Sequence, residues 1–158
     1  MKWRLALLAT FAMVSLGSPA GAVCVCTCTV GPSTMPFGAF RPLDNAKLDI
    51  DGTVRVNCSG ISLLNSFVMK LGPGLYGSIG SRQMRDSGNS LNYNLYSDVN
   101  RSIVWGDGTG GYNGVTVNNA LALLSWTINV PIYGRIPPAP LTKPGTDYKD
   151  SVLVTVEY

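Results

Sequence analysis

Cysteine is the residue type in this sequence whose spacing most clearly points to chemistry. The chain has four cysteines and no histidine, and Cys24, Cys26 and Cys28 form a C-x-C-x-C run while Cys58 stands apart. Zinc sites use Cys-x-x-Cys pairs or histidines, so the pattern favours disulfides and predicts no metal. Alternate residues of a strand lie about 6.6 Å apart, near the upper limit for a disulfide. At least one cysteine of the run is therefore expected to bridge outward, and Cys58 is the one intramolecular partner off this strand, although three full pairings stay open.

The other reactive patterns are weak. Without histidine, no Ser–His or Cys–His nucleophile pair can exist. Residues 72–77 match G-x-G-x-x-G, but Pro73 interrupts the motif and no helix follows, which favours a loop. Asp107 opens a glycine-rich turn that lacks the further acidic ligands of a calcium loop. Asp147 and Asp150 are close enough in sequence to act as paired carboxylates, but the favoured interpretation is that they cap or solubilise the entry to the last strand. The sequence therefore predicts a protein that is not an enzyme and has no cofactor.

Aromatic side chains offer one binding alternative, a platform for sugar rings. The candidates are Tyr93, Tyr96, Trp105, Trp126 and Tyr133. On alternating strands such residues more often form core contacts or cross-strand pairs, and that is the interpretation we favour.

The first residues resemble an export signal. Lys2 and Arg4 form a positive start, residues 5–16 are almost entirely apolar, and Ala20 and Ala22 occupy the small positions of an A-x-A cleavage site. The apolar run is well short of the roughly 20 residues that span a bilayer. We therefore predict a signal peptide over residues 1–22 and no transmembrane segment in the mature chain.

Residues 23–158 are predicted to form a single domain. Removal of Lys2 and Arg4 lowers the formal charge from +3 to +1, so nothing in the mature chain suggests a nucleic-acid partner. The sequence between glycine- and proline-rich turns alternates as strands do. The predicted strands are 23–30 with a continuation at 37–40, 52–59, 66–71, 91–96 extended by 103–105, 124–133 and 150–158. Pro131 implies an edge or a bend, and the one short helical candidate is 118–124. This pattern predicts an all-β sandwich.

The last predicted strand is long and apolar on one face. Val152, Val154, Val156 and Tyr158 share that face. An immunoglobulin-like sandwich needs a further strand to cover this edge, and none follows in the sequence. We therefore expect an incomplete sandwich whose edge accepts a donor strand from a partner chain. The alternative is that a strand from elsewhere in this chain covers the edge.

The order of several short motifs resembles the spore coat protein U domain, the module of archaic chaperone–usher pilus subunits. The resemblance covers nearly all of the mature chain, although each motif alone is unspecific. The motifs are 28–30 with 37–38, 54–58, Arg82 with Met84, 91–96, 105–108, 133–136 and 145–150 leading into the final valine strand.

The resemblance implies an immunoglobulin-like sandwich that lacks its last strand. It implies three partners: a periplasmic pilus chaperone, an outer-membrane usher and neighbouring pilin subunits, with the chain passing from the periplasm to a surface fimbria. It also implies a disulfide between Cys28 and Cys58. Cys24 and Cys26 depart from the pattern, and three alternatives stay open for them: a local bridge, a bond to a partner, or free thiols.

The segment ahead of the first strand is the second departure from the family pattern. Residues 23–27 reach about 17 Å at most, too short to fill a neighbour's groove. We therefore expect a subunit that accepts a strand but donates none, at the tip or terminus of a fibre. In one alternative the C-x-C-x-C segment is part of a donor strand. In another, the domain works alone as a secreted or coat-associated sandwich that binds carbohydrate.

Overall fold

The computed structural model describes residues 24–62, 66–118, 122–143, 145 and 147–157, without the side chains of residues 24, 62, 122 and 123. The predicted signal peptide and Tyr158 lie outside the described residues. The described chain is all-β and contains one short 3₁₀ helix, Pro42–Asp44. None of the helical structure in these residues has the length and apolar character to cross a membrane.

Nine strands form two sheets in the described chain. The strands are β1 Cys24–Val30, β2 Leu48–Ser62, β3 Ser66–Leu71, β4 Gly77–Ser78, β5 Ser81–Asp86, β6 Asn89–Tyr96, β7 Val115–Asn118, β8 Ala122–Ile136 and β9 Val154–Glu157. The large sheet has the order β1-β2-β8-β6-β5-β4, and the small sheet has the order β7-β3-β9. Every strand pair is antiparallel. This architecture is that of an immunoglobulin-like sandwich, which the sequence predicted.

Two long strands, β2 and β8, form the centre of the large sheet and pair over their whole length. Val54, Val56 and Cys58 alternate with polar residues, and all three are buried, as the alternation predicted. Both strands are longer than the sequence suggested because each extends past the apolar stretch and stays paired with the other. Their inner faces pack against β3 and β9, which places the core between the two sheets.

Pro131 lies at a place where β8 has a neighbour on one side. It pairs with Thr53 of β2, whereas β6 reaches β8 only along residues 133–135. Proline cannot donate a backbone hydrogen bond and is therefore tolerated where the second neighbour is missing. The edge that Pro131 predicted is therefore limited to the part of β8 that β6 does not reach.

Four sequence predictions of secondary structure are wrong in detail. Residues 37–40 form no strand, since no described strand lies beside them to pair with. Of the predicted helix at 118–124, the described residues, 118 and 122–124, belong to β7 and β8. Val104 makes only an isolated bridge to Tyr96 instead of extending β6. The final strand is β9 alone, shorter than 150–158, and Lys149 makes a separate bridge to Arg85.

Candidate strand-binding groove

The free edge of β9 is the first component of the candidate site. Val152, Val154 and Val156 pack against the core, while Leu153 is 74% exposed. The Leu153 carbonyl accepts a 3.0 Å hydrogen bond from the backbone N–H of Gly72, which fixes the side of the strand that faces β3. Backbone groups alternate in direction along a strand. Those of Val152, Val154 and Val156 therefore point to the opposite edge, where no strand of the described chain pairs.

The segment 33–40 lies opposite this edge. It continues from β1, and its first part is tied to β2 because the Gly31 backbone N–H donates to the Arg55 carbonyl at 2.9 Å. The Ser33 hydroxyl donates to the Thr53 carbonyl at 2.9 Å. Past Ser33 the segment belongs to no sheet. Its backbone therefore forms a second wall that is unpaired with any described strand.

Two glycines on the inner face of the large sheet hold this second wall in place. A Cβ atom on Gly134 would lie 2.7 Å from Phe37 Cζ and 2.9 Å from Met35 Cε, and one on Gly52 would lie 3.5 Å from Met35 Cε. The absence of a Cβ on Gly134 lets both side chains lie directly on the sheet, whereas a Cβ on Gly52 would make only an ordinary contact with Met35. Phe37 also meets Tyr93 edge to face, with ring centroids 5.8 Å apart.

Between the walls lie two adjoining cavities of about 560 and 480 Å³. Both are lined by Met35, Phe37, Met84 and Tyr148, so they form one continuous groove. We call it the acceptor groove, with residues 33–40 and 147–154 as its walls. Its lining is mainly apolar, and the second cavity reaches the floor residues Val54, Leu71, Tyr93, Leu95 and Ile132.

Asp150 anchors one wall of the acceptor groove to the large sheet. Its Oδ2 accepts a 2.7 Å hydrogen bond from the Tyr93 hydroxyl, and its Oδ1 accepts from the backbone N–H groups of Leu75 and Ser151, both at 2.8 Å. Burial, together with the adjacent carboxylate, raises the pKa of the Tyr93 hydroxyl well above its ordinary value. The pair is therefore a fixed hydrogen bond at neutral pH.

The two aspartates near the last strand have separate partners. Asp147 receives a 2.7 Å hydrogen bond from Lys149 Nζ on the surface, while Asp150 is bound to Tyr93. Asp107 accepts hydrogen bonds from the backbone N–H and hydroxyl of Thr109, which closes a turn. No cluster of three or more metal-ligating side chains occurs among the described residues.

Arg82 is the polar feature that the sequence did not single out as a site. Its side chain is fully buried on β5. Nε and Nη2 donate to the Gly72 carbonyl at 3.0 and 2.7 Å, and Nη2 also donates to the carbonyls of Leu71 at 3.2 Å and Trp105 at 2.8 Å. Nη1 donates to Asn94 Oδ1 at 2.7 Å. Burial lowers the pKa of the guanidinium from its ordinary value.

A disulfide between Cys28 and Cys58 joins β1 to β2, with Cα atoms 4.1 Å apart. This is the pairing that the family resemblance implied. Cys26 is also disulfide-bonded, so the free-thiol alternative for that residue is wrong. The side chain of Cys24 lies outside the described residues. Trp126 stands opposite Cys58 on β8, and its buried indole nitrogen has no hydrogen-bond partner in the described chain.

The five aromatic residues considered as a sugar platform do not share one surface. Tyr93 and Trp105 are buried in the core, where the Trp105 indole donates to the Met69 carbonyl at 3.0 Å. Trp126 packs partly buried against the same core. Tyr96 and Tyr133 pair across β6 and β8, and the Arg101 guanidinium lies 5.6 Å from the Tyr133 ring centroid. These five residues therefore do not offer a common flat face for stacking.

Comparison with known proteins finds a matching family model, a relative in sequence and solved structures of similar fold. The Spore Coat Protein U domain model matches residues 14–155. "Protein U" of Myxococcus xanthus is 33% identical over 153 residues, which cover 87% of this chain and 79% of that protein. A chain of the CsuC–CsuE chaperone–tip adhesion subunit pre-assembly complex, from the archaic chaperone–usher Csu pili of Acinetobacter baumannii, has a similar fold. The TM-score is 0.56 at 17% identity, and the match covers 85% of this chain but 40% of that longer one.

Proposed function

The chain belongs to the Spore Coat Protein U domain family, and from that premise we propose that it is an exported structural and adhesive subunit of a chaperone–usher fimbria. Membership of this family makes it a structural protein and not an enzyme. The fold that it shares with a chain of the Csu pre-assembly complex supports the proposal.

The observation that carries the proposal is the acceptor groove beside the unpaired edge of β9. Val152, Val154 and Val156 turn their side chains to the core and their free backbone groups to the groove. An extended segment could hydrogen-bond to this edge and place alternate side chains on the apolar floor, which is β-strand addition. The groove thus supports assembly by donor-strand complementation, with these valines and Tyr158 as the acceptor edge.

Three partners would act on this groove in turn. A periplasmic chaperone would hold the edge after residues 1–22 have directed export, and an outer-membrane usher would then exchange the chaperone strand for that of a neighbouring pilin subunit. The chain would pass from the periplasm to the cell surface. This route follows from family membership, from the predicted signal peptide over residues 1–22 and from the predicted mature domain over residues 23–158.

Within the fibre we propose a tip or terminal position. In support, residues 24–30 pair along their whole length with β2 and are held there by the Cys28–Cys58 disulfide. A segment committed to its own sheet in this way is not free to enter a neighbour's groove. This argues against the alternative in which the C-x-C-x-C run is a donor strand.

The test is co-expression of the mature chain with and without a cognate periplasmic chaperone, followed by size-exclusion chromatography. A soluble one-to-one complex, together with loss of the protein when the chaperone is absent, is the expected result. A stable monomer under both conditions would overturn the proposal and favour a secreted or coat-associated domain that works alone.

A further inference from the structure

The cation of Arg82 is buried without an acidic partner. Its hydrogen bonds end on four backbone carbonyls and one side-chain amide, and no described carboxylate forms an ion pair with it. Moving a charge from water into a core is costly even when every donor is satisfied. A residue whose only role was to fill space there would be apolar. The segments that accept the hydrogen bonds of Arg82 therefore indicate its role.

The acceptors of Arg82 lie on chain segments from both sheets. Arg82 belongs to β5 of the large sheet, while Leu71 ends β3 of the small sheet and Gly72 follows it. The Trp105 carbonyl and Asn94 belong to the β6 side, since the Trp105 backbone N–H donates to the Leu95 carbonyl at 2.9 Å. A planar guanidinium fixes the directions of all its donors at once. It therefore sets the relative position of β3, β5 and β6.

Two parts of the acceptor groove depend directly on these segments. The backbone N–H of Gly72, whose carbonyl binds Arg82, donates to Leu153 in the 147–154 wall. Leu71 and Leu95 line the groove floor. One guanidinium therefore binds segments that contact both the wall and the floor, and it sets the distance between them.

We propose that Arg82 is a positioning residue that sets the width of the acceptor groove and so its ability to take a strand. The inference rests on the proposed function. An inserted strand needs a neighbour at about 4.8 Å to form its ladder of hydrogen bonds. No described strand pairs with the free edge of β9, so a rigid clamp between the sheets would hold the 147–154 wall at a defined distance from the groove floor.

The experiment compares Arg82→Met and Arg82→Lys with the wild type in complex with the co-expressed chaperone. The control is Val56→Ala, which opens a cavity in the buried core away from the groove lining. We expect Arg82→Met to weaken chaperone binding by about tenfold or more, the scale of one or two lost charged hydrogen bonds. Arg82→Lys keeps the charge but loses the planar guanidinium, and its chaperone affinity should lie between those of the wild type and Arg82→Met. Hydrogen exchange should quicken at the Leu71 and Gly72 amides and stay slow along β2 and β8.

The control separates positioning from general stability. Hydrogen exchange along β2 and β8 in the chaperone complexes ranks the variants by stability of the core, and chaperone affinity is compared between variants with the same loss of stability. If Val56→Ala weakens binding as much as Arg82→Met for the same loss, or if Arg82→Met binds like the wild type, the inference is overturned. If Arg82→Met fails to fold, Arg82→Lys carries the same comparison. A wild-type chain that binds no chaperone would overturn the proposed function, and this inference with it.

Discussion

At the scale of single residues, Asp49 is the centre of an ion-pair cluster on the outer face of the large sheet. Arg135 Nε and Nη2 donate to its two carboxylate oxygens at 2.6 and 2.8 Å, and Lys47 Nζ lies 3.6 Å away. The hydrogen bond from Arg135 holds the pKa of Asp49 below its ordinary value, although burial partly opposes it. Bidentate pairs of this kind are stronger than ordinary surface ion pairs.

Replacing Asp49 with asparagine should reduce stability in a pH-dependent way. A carboxylate whose pKa is lowered by folding stabilises the protein above its unfolded pKa of about 4, and this contribution is lost as the pH falls through the lower folded value. We expect Asp49→Asn to lower the free energy of unfolding at pH 7 by about 1 kcal/mol, with a smaller difference near pH 3. Urea unfolding of the chain in its chaperone complex at the two pH values measures this.

The matched control is Asp147→Asn. Asp147 and Lys149 form an exposed ion pair, with side chains 68% and 76% accessible. Exposed pairs contribute little, so this substitution should change stability by less than about 0.5 kcal/mol at either pH. Equal effects of the two substitutions would show that the Asp49 cluster contributes nothing beyond a surface pair.

At the scale of elements, Gly134 lets the 33–40 wall lie directly on the large sheet. A methyl group on Gly134 would meet Phe37 and Met35 at less than 3.0 Å, and Gly134 has no positive φ that would add backbone strain. The added carbon must therefore displace the ends of the Phe37 and Met35 side chains from the sheet. The same substitution leaves the strand pairing of β8 with β2 unchanged, because the side chain points into the core.

Gly134→Ala should therefore destabilise the chain by about 1–3 kcal/mol through overpacking. Gly31→Ala is the control, since a Cβ there would meet the Arg55 carbonyl at an ordinary 3.7 Å. Thermal unfolding of both variants tests the difference. A Gly134 variant as stable as the Gly31 variant would mean that Met35 and Phe37 are not seated on the sheet.

Strands with regular alternation could be predicted from the sequence, and strands that depend on a partner could not. The alternation of Val54, Val56 and Cys58 led directly to β2. In β5, by contrast, the inward position is occupied by Arg82, so the apolar alternation that marks a strand is missing. Phe37 and Phe40 favour a strand, but Gly38 between them has a φ of 76° and no described strand lies beside the segment to pair with it. Whether such a segment becomes a strand is decided by what lies beside it.

The candidate site was predicted in the same partial way. Alternation placed Val152, Val154 and Val156 on one face, and the structure packs all three against the core. The opposite wall depends on contacts of Met35 and Phe37 with Gly134, which is about 100 residues away in the sequence. Met35 also contacts Gly52, which is much nearer. No local pattern encodes such a contact. The position of Arg82 is likewise invisible, because a charged residue on a strand is ordinarily read as exposed.

At the scale of the whole molecule, the two sheets meet closely at one end of the groove. The disulfide and the full pairing of β1 with β2 hold one side, while β9 pairs, among the described strands, with β3 alone. Cα atoms of β1 and β9 come within 8 Å of each other, whereas an inserted strand needs two spacings of about 4.8 Å. A full-length donor strand therefore requires β9 to move outward, since β1 is fixed by a covalent bond.

A negative charge at Val152, on the groove side of the last segment, should block assembly. The same charge at the next residue, Leu153, should not. Val152 lines the groove and packs on the core, and Leu153 points to solvent. A carboxylate buried under an incoming strand is costly, so Val152→Asp should weaken the chaperone complex by more than about a hundredfold. Leu153→Asp should change it by less than about threefold. Co-purification and titration with the chaperone measure both.

Val152→Ser extends the comparison to a change without charge. The serine hydroxyl can hydrogen-bond locally, so the chain should fold and bind with intermediate affinity. An order of binding from Leu153→Asp through Val152→Ser to Val152→Asp, with unchanged far-ultraviolet circular dichroism, would locate the strand-binding surface on the groove side. If Leu153→Asp proved the more damaging of the two aspartates, the partner would instead bind the outer face of β9, and the acceptor groove would need another occupant.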